Sequence, residues 1–383
     1  MWLYSFTEAY YHAFRVHRKP SGTRLLDAGC GTGHGVVQIR YQAPGAEVHA
    51  FDFSARSIEI AQKRIDAMGG ESVVFHELDI LDLSTLPGQF DAIFCSGVVH
   101  HTANPVRALQ QLKSKLKPDG VLYLMLYSEF GRRPSILMQQ AIKLLCKDPS
   151  DQMEGLRLGR LIFDGLPPAN PIATWERERW SDNHRKHAEA FIDMYVNANE
   201  RDYTIAEVFR DLEAAGLKFL RFTNPQMWSL ATRMNAHPEL LVRFESLSPL
   251  AQYEVIEHLF PRLDQYEFFV AHEDSPVKPP AWAVDGSLAE RADKLTAVRS
   301  PFVEQNPTPQ QSHGLVFLSG YFGQIASLDA VTVDLFSRCD GRKSVKQTVE
   351  AWETDQGSGV RGKGMKAILK MERDGLVYFA DLA

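Results

Sequence analysis

Cysteine is scarce: the chain has four in 383 residues (Cys30, Cys95, Cys146 and Cys339), far apart and with no CxxC pair. That usage supports neither a zinc site nor a disulfide framework, and it suits a reducing cytoplasm. Long apolar runs are missing too. The longest, Val121 to Tyr127, falls far short of the roughly 20 residues that a membrane-crossing helix needs, so no membrane span is expected. The first residues are aromatic but lack a basic start and a small-residue cleavage site, and Glu8 comes early, so they do not read as a signal peptide. Neither charge dominates: 42 Lys and Arg against 48 Asp and Glu give a net charge of −6, which removes the footprint of a general nucleic-acid binder. There is no internal repeat. What is present is 44% hydrophobic and 10% aromatic residues, enough for a sizeable core, and a length that suggests two domains or one with a satellite.

From residue 22 to 128, short apolar runs alternate with amphipathic segments, the signature of a parallel sheet covered by helices on both faces. Strands are expected at Arg24 to Ala28, Glu47 to Phe53, Val73 to Leu78, Phe90 to Ser96 and Val121 to Tyr127. The unbroken apolar run of the last fits a strand covered on both sides. Helices are expected over about 34–42, after Ser54, and after Pro105, where Val106, Leu109, Leu112 and Leu116 share one face. Thr204 and Glu207 form a capping-box pattern before Ile205, Val208, Phe209 and Leu212. Leu217 to Phe222 and Tyr266 to His272 read as two further strands. Two helical insertions, about 129–203 and 224–265, follow strand ends and so belong above the crevice where open α/β sheets bind ligands. Residues 1–274 then form the main domain. The Pro-, Ser- and polar-rich stretch 275–312 reads as a linker, and 313–383 as a small C-terminal domain.

The informative stretch is "LLDAGCGTGHG", Leu25 to Gly35, in which a strand enters a turn with Gly29, Gly31 and Gly33 at alternate positions, two residues after Asp27. Glycine permits positive φ and lets a ligand touch the backbone. The dinucleotide fingerprint needs glycines at its first, third and sixth places, but from Gly29 the sixth is His34 and from Gly31 it is Val36. No Gly-Lys-Ser/Thr ending exists, so the P-loop also fails. A diphosphate against this turn would face Asp27 with no Lys or Arg in the loop. A ligand with a cationic group fits better, its carboxylate facing backbone N–H groups at the helix N-terminus.

With these residues, Leu25 to Gly33 resembles the first motif of the class I S-adenosylmethionine-dependent methyltransferases. "FDAIFCSGVVHH" and "LKPDGVLYL" resemble the family's later signatures, and the likeness spans about 22–128. It implies a Rossmann-like methyltransferase fold: a doubly wound, mostly parallel seven-stranded sheet. It also implies a cofactor, S-adenosyl-L-methionine, held by Asp27, Gly29, Cys30, Gly31 and Gly33. Asp52 would accept from the ribose hydroxyls, Phe53 would pack on the adenine, Asp79 and Ile80 would read the adenine edge, and Ser96 would line the crevice near the methyl group. Transfer would proceed by in-line displacement.

The catalytic residue stays open. His101 is a candidate general base, but paired histidines at this place recur in the family without one fixed role. His100 and His101, being adjacent, point differently and make poor joint metal ligands. His184 and His187 beside Asp182 sit in a charged face, and no metal is expected. Trp175, Trp180, Phe191, Tyr195 and Trp228, like Tyr4, Phe6, Tyr10, Tyr11 and Phe14, could wall a substrate pocket or pack the covers. The C-terminal segment faintly resembles winged-helix-like modules, including the regulatory region of some bacterial protein methyltransferases. A small-molecule substrate is favoured over a protein side chain because the covers are large. A protein methyltransferase using the C-terminal domain for partner contact, and a non-catalytic cofactor-binding regulator, are the alternatives.

Overall fold

The computed structural model describes residues 2–69, 72–179, 187–196, 200–280, 282–283, 287–300, 303–305, 315–318, 324–327, 330–373 and 375–382. Seven strands make one sheet: β1 (Arg24–Ala28), β2 (Glu47–Asp52), β3 (Val73–Glu77), β4 (Phe90–Ser96), β5 (Leu116–Tyr127), β6 (Leu217–Phe222) and β7 (Gln265–His272), in the order β3-β2-β1-β4-β5-β7-β6. All neighbours pair in parallel except β7, which runs antiparallel to both β5 and β6. The chain reverses its direction of winding between β1 and β4, which opens a crevice at the carboxyl ends of the strands. β5 begins earlier than the apolar run suggests: Leu116 already pairs with Phe90, and the register shifts before Val121.

Alternating side chains place the sheet between two cores. Leu26, Ile93, Leu124 and Phe268 lie on one face. Leu25, Phe94, Tyr123 and Phe269 lie on the other, where Phe6, Tyr10 and Phe14 of α1 (Phe6–Phe14) cover them. The flanking helices start as their caps dictate. After α2 (His34–Gln42), Ser54 accepts from Ser57 N at 3.2 Å ahead of α3 (Ala55–Met68), and Asn104 accepts from Arg107 N at 3.0 Å ahead of α4 (Pro105–Lys115). Thr204 and Glu207 close the expected capping box at Ile205–Ala214.

Both insertions are helical. The first contains α5 (Glu129–Leu145), α6 (Gln152–Gly165), α7 (Pro171–Arg179) and the Ala188–Tyr195 helix, which bury a core of their own around Met138, Ile142, Phe163, Phe191 and Tyr195. Trp175 joins it from the edge and donates from its indole nitrogen to Gly131 O at 3.1 Å. Trp180, Asp182 and His184 lie outside the described residues.

The C-terminal part has an antiparallel sheet with β8 (Leu295–Arg299) between β12 (Asp340–Ser344) and β13 (Val377–Asp381), packed by the Val345–Gln356 and Gly364–Arg373 helices. A second antiparallel set comprises β9 (Val303–Gln305), β10 (Leu315–Leu318) and β11 (Gln324–Ser327). Thus the stretch 275–312, composed like a linker, contributes β8, Trp282 and Leu288 to the C-terminal core. Tyr11 ties this core to the main sheet: its hydroxyl donates to Glu372 at 3.2 Å and accepts from Phe379 N at 2.9 Å, while Arg15 pairs with the same glutamate.

Candidate active site

The turn after β1 is built by glycines for three different reasons. Gly29, Gly31 and Gly33 all have positive φ, at 71°, 50° and 87°. A Cβ on Gly33 would stand 2.9 Å from the Ala61 backbone, so the glycine lets α2 and α3 close together, whereas a Cβ on Gly31 would meet nothing within 4 Å. Gly31 therefore presents bare backbone to open space, which is how a ligand can approach it. Its N–H donates to Asp52 Oδ2 at 2.8 Å, and the other Asp52 oxygen accepts from Ser54 N at 3.0 Å, fixing the carboxylate at the end of β2. Gly29 and Cys30 both donate to Phe51 O at 2.9 Å.

Asp27 is buried, accepts from the Val36 backbone at the start of α2, and leaves Oδ2 with no hydrogen-bond partner among the described residues. Burial and then the neighbouring Asp52 charge push its carboxyl up to about 7. Gly35 is required beside it, because a Cβ there would lie 2.6 Å from Asp27 Oδ2. Phe53 next to Asp52 is 80% exposed, Ile80 is buried, and Asp79 is exposed with Oδ1 accepting from Leu81 N at 2.9 Å. The turn, Asp52, Phe53, Asp79 and Ile80 thus lie along the ends of β1, β2 and β3. An orphaned buried carboxylate, open glycine backbone and an uncovered aromatic ring suit a ligand with a cationic tail and a flat ring, as S-adenosylmethionine has.

Across the reversal point, Ser96 ends β4. Its hydroxyl lies within hydrogen-bonding reach of both Tyr4 and Tyr123, two phenols whose pKa values burial raises. Sheet register puts Ser96 opposite Met125 and Met125 opposite Glu267. This row carries the site from the crevice to β7, and two strand spacings make it about 10 Å long. Glu267 accepts from Gln265 at 2.8 Å and from Tyr123 at 3.3 Å, and burial holds its carboxyl above the usual range. Glu267 also lines a cleft of about 690 Å³ with Thr223, Asn224, Trp228, Arg233 and Asp264.

Sequence reasoning missed Tyr123, Glu267 and this cleft, because only pairing between distant strands brings these residues together. A polar Glu in the otherwise apolar "YEFFVAH" strand was the available signal. Tyr4 joins the site, whereas Phe191 and Tyr195 pack the cover and Tyr11 anchors the C-terminal core. Trp228 does both, stacking on Phe222 at 3.7 Å while facing the cleft.

His100 is buried against Tyr127, with ring centroids 4.0 Å apart, and both its ring nitrogens lack partners among the described residues; burial drives its pKa well below the ordinary value, so the ring is neutral. His101 is half-buried beside it at 4.2 Å. Below them, Arg132 lies 3.7 Å over the Tyr127 ring and pairs with Glu200 and with Asp202 at 2.9 Å, fastening the first insertion to the end of β5. No group of His, Cys, Asp and Glu among the described residues could hold a metal ion.

Residues 19–189 match a family model described as a methyltransferase domain. An uncharacterised protein of Synechococcus sp. is 38% identical over 291 residues, 75% of this chain and 69% of that one. The ubiquinone biosynthesis O-methyltransferase of Actinobacillus pleuropneumoniae is 31% identical over 107 residues, 27% of this chain and 44% of its own length. Among solved structures, PKMT2 from Rickettsia typhi, also known in complex with AdoHcy, covers this whole chain and 76% of itself at a TM-score of 0.68 and 14% identity, a likeness of fold. The chain belongs to the class I S-adenosylmethionine-dependent methyltransferases. It is accordingly an enzyme whose cofactor is S-adenosylmethionine. No helix among the described residues is long and apolar enough to cross a membrane.

Proposed function

We propose that this methyltransferase acts in line on a nucleophile of a small molecule held in the cleft beside β6 and β7. The observation that carries this reading is the Ser96–Met125–Glu267 row, which joins the crevice over β1 and β4 to a cleft whose volume lies in the range of small-molecule sites. S-adenosylmethionine, when bound, supplies an activated methyl group. Asp27 would hold the ammonium of its amino-acid tail and the Gly29–Gly33 backbone its carboxylate. Asp52 would take the ribose hydroxyls, Phe53, Asp79 and Ile80 the adenine, and Ser96 would face the reacting end. Holding both partners in line supplies up to about 7–11 kcal/mol, so a dedicated acid–base pair is unnecessary. His101, half-buried at the crevice, is the candidate for taking a proton from the nucleophile.

The test is transfer of label from methyl-tritiated cofactor into fractionated cell extract. The reading expects label in a protease-resistant, small-molecule fraction. Label that protease treatment converts to peptides would replace it with the side-chain methyltransferase, and cofactor binding without transfer to any fraction would replace it with the regulatory reading.

A further inference from the structure

Three buried polar atoms of residues lining the 690 Å³ cleft have no hydrogen-bond partner among the described residues: Arg233 Nε, Asn224 Oδ1 and Asp264 Oδ1. A buried polar atom left without a partner is costly. Arg233, Asn224 and Asp264 all line the cleft, so a guanidinium and two acceptor side chains stand together in its wall.

The remaining charges of the cleft are matched. Arg179 pairs with the other Asp264 oxygen at 2.5 Å, Arg262 with Glu178 at 3.2 Å, and Glu267 is satisfied by Gln265 and Tyr123. Arg233 differs. Its guanidinium lies 4.3 Å over the Phe260 ring and its Nη1 reaches only the Met227 sulfur at 3.3 Å. It forms no ion pair among the described residues, and desolvation holds its pKa below the ordinary value. The aromatic ring fixes the plane of the fork, which is the geometry that binds a carboxylate or phosphate through two parallel bonds. Trp228 and Leu263 supply apolar wall beside it.

We infer that the methyl acceptor carries an anionic group, carboxylate or phosphate, that seats on Arg233, together with a hydroxyl or amine that donates to Asn224 and Asp264. The inference rests on the small-molecule reading above and names its substrate class. Glu267 and the row to Ser96 then place the acceptor's other end toward the crevice.

The experiment is a saturation-transfer NMR titration of the full chain with benzoate, phenyl phosphate and the neutral benzamide, each with S-adenosylhomocysteine present. At least one anion is expected to bind tenfold or more tightly than benzamide, and the ratio of the two anions tells carboxylate from phosphate. Arg233→Ala should bring the anions to the benzamide level, and Arg233→Lys should retain part of the preference. Equal binding of the three probes by the unmodified protein, a comparison that needs no variant, overturns the inference, as does an anion preference that survives Arg233→Ala. Calorimetry with S-adenosylhomocysteine separates the two readings. A normal isotherm with no anion preference sinks only the subsite; no isotherm at all sinks the functional reading and the subsite with it.

Discussion

Exchanging Asp27 for Asn, and varying pH around it, tests the assignment of the cofactor's cationic tail most directly. Burial and the Asp52 charge set the Asp27 carboxyl at about 7, against 3.8 for an ordinary Asp. At 1.36 kcal/mol for each pH unit, keeping this carboxylate ionised in the empty pocket costs about 4 kcal/mol. A ligand ammonium that pairs with Oδ2 selects the ionised form, so below pH 7 the apparent affinity should fall about tenfold per unit: about tenfold at pH 6 and about a hundredfold at pH 5. At higher pH, once the ligand's own α-amino group loses its proton, affinity should fall again. Calorimetric titration with S-adenosylhomocysteine from pH 5 to 9 should therefore give an affinity that climbs up to about pH 7 and then levels. Asp27→Asn should abolish the acid limb and weaken binding at the maximum. 5′-Methylthioadenosine, which lacks the amino-acid tail, should bind without that limb in either protein. An affinity for S-adenosylhomocysteine that is flat from pH 5.5 to 7.5, or an equal acid limb with methylthioadenosine, would refute the pairing.

Four other outcomes are expected. Asp52→Ala should weaken S-adenosylhomocysteine binding at least tenfold by calorimetry, since the carboxylate that Gly31 and Ser54 orient would no longer face the ribose. Gly33→Ala should cost about 2–4 kcal/mol in denaturant unfolding, combining a residue at φ 87° with a Cβ pressed to 2.9 Å from the Ala61 backbone. Tyr11→Phe should cost about 1–3 kcal/mol and expose the C-terminal part to limited proteolysis, because Glu372 and the Phe379 N–H lose their buried partner. Glu8 is buried with its carboxyl pushed up to about 7 by desolvation, against 4.5 ordinarily, so the folded state holds a proton that the unfolded chain releases. Its contribution to stability is complete below pH 4.5 and is lost as pH rises through 7. Glu8→Gln should flatten the melting temperature between pH 5 and 7 by comparison with the parent protein.

Most of the fold was legible because local signals agreed with the final packing. Ser54, Asn104–Pro105 and the Thr204–Glu207 box each fix a helix start without help from distant residues. Alternation of side chains along "LLDA" and "EFFV" feeds the two cores that the sheet separates. β8 was not legible. Its segment lies among Pro, Ser and polar residues, and "LTAVR" becomes a central strand only because β12 and β13, more than 40 residues later, pair with both of its edges.

The candidate site divides in the same way. Its cofactor half is carried by short motifs at the ends of β1, β2 and β3, in which the glycine spacing, Asp27 and the strand-end acids each state their chemistry locally. Its substrate half is not contiguous: Tyr4, Ser96, Tyr123 and Glu267 come from four segments and meet only through the hydroxyl network and the register of β4, β5 and β7. Nothing in "YEFFVAH" says that its glutamate will stand beside a serine 171 positions earlier, since the order of strands in the sheet, and not their order in the chain, decides it. The same holds for Arg233. As sequence it is one of many surface arginines, and it becomes a candidate anion seat only when folding places Phe260 beneath it and leaves its charge without a partner among the described residues. The proposed cofactor half is therefore written in the chain, and the proposed acceptor half in the sheet.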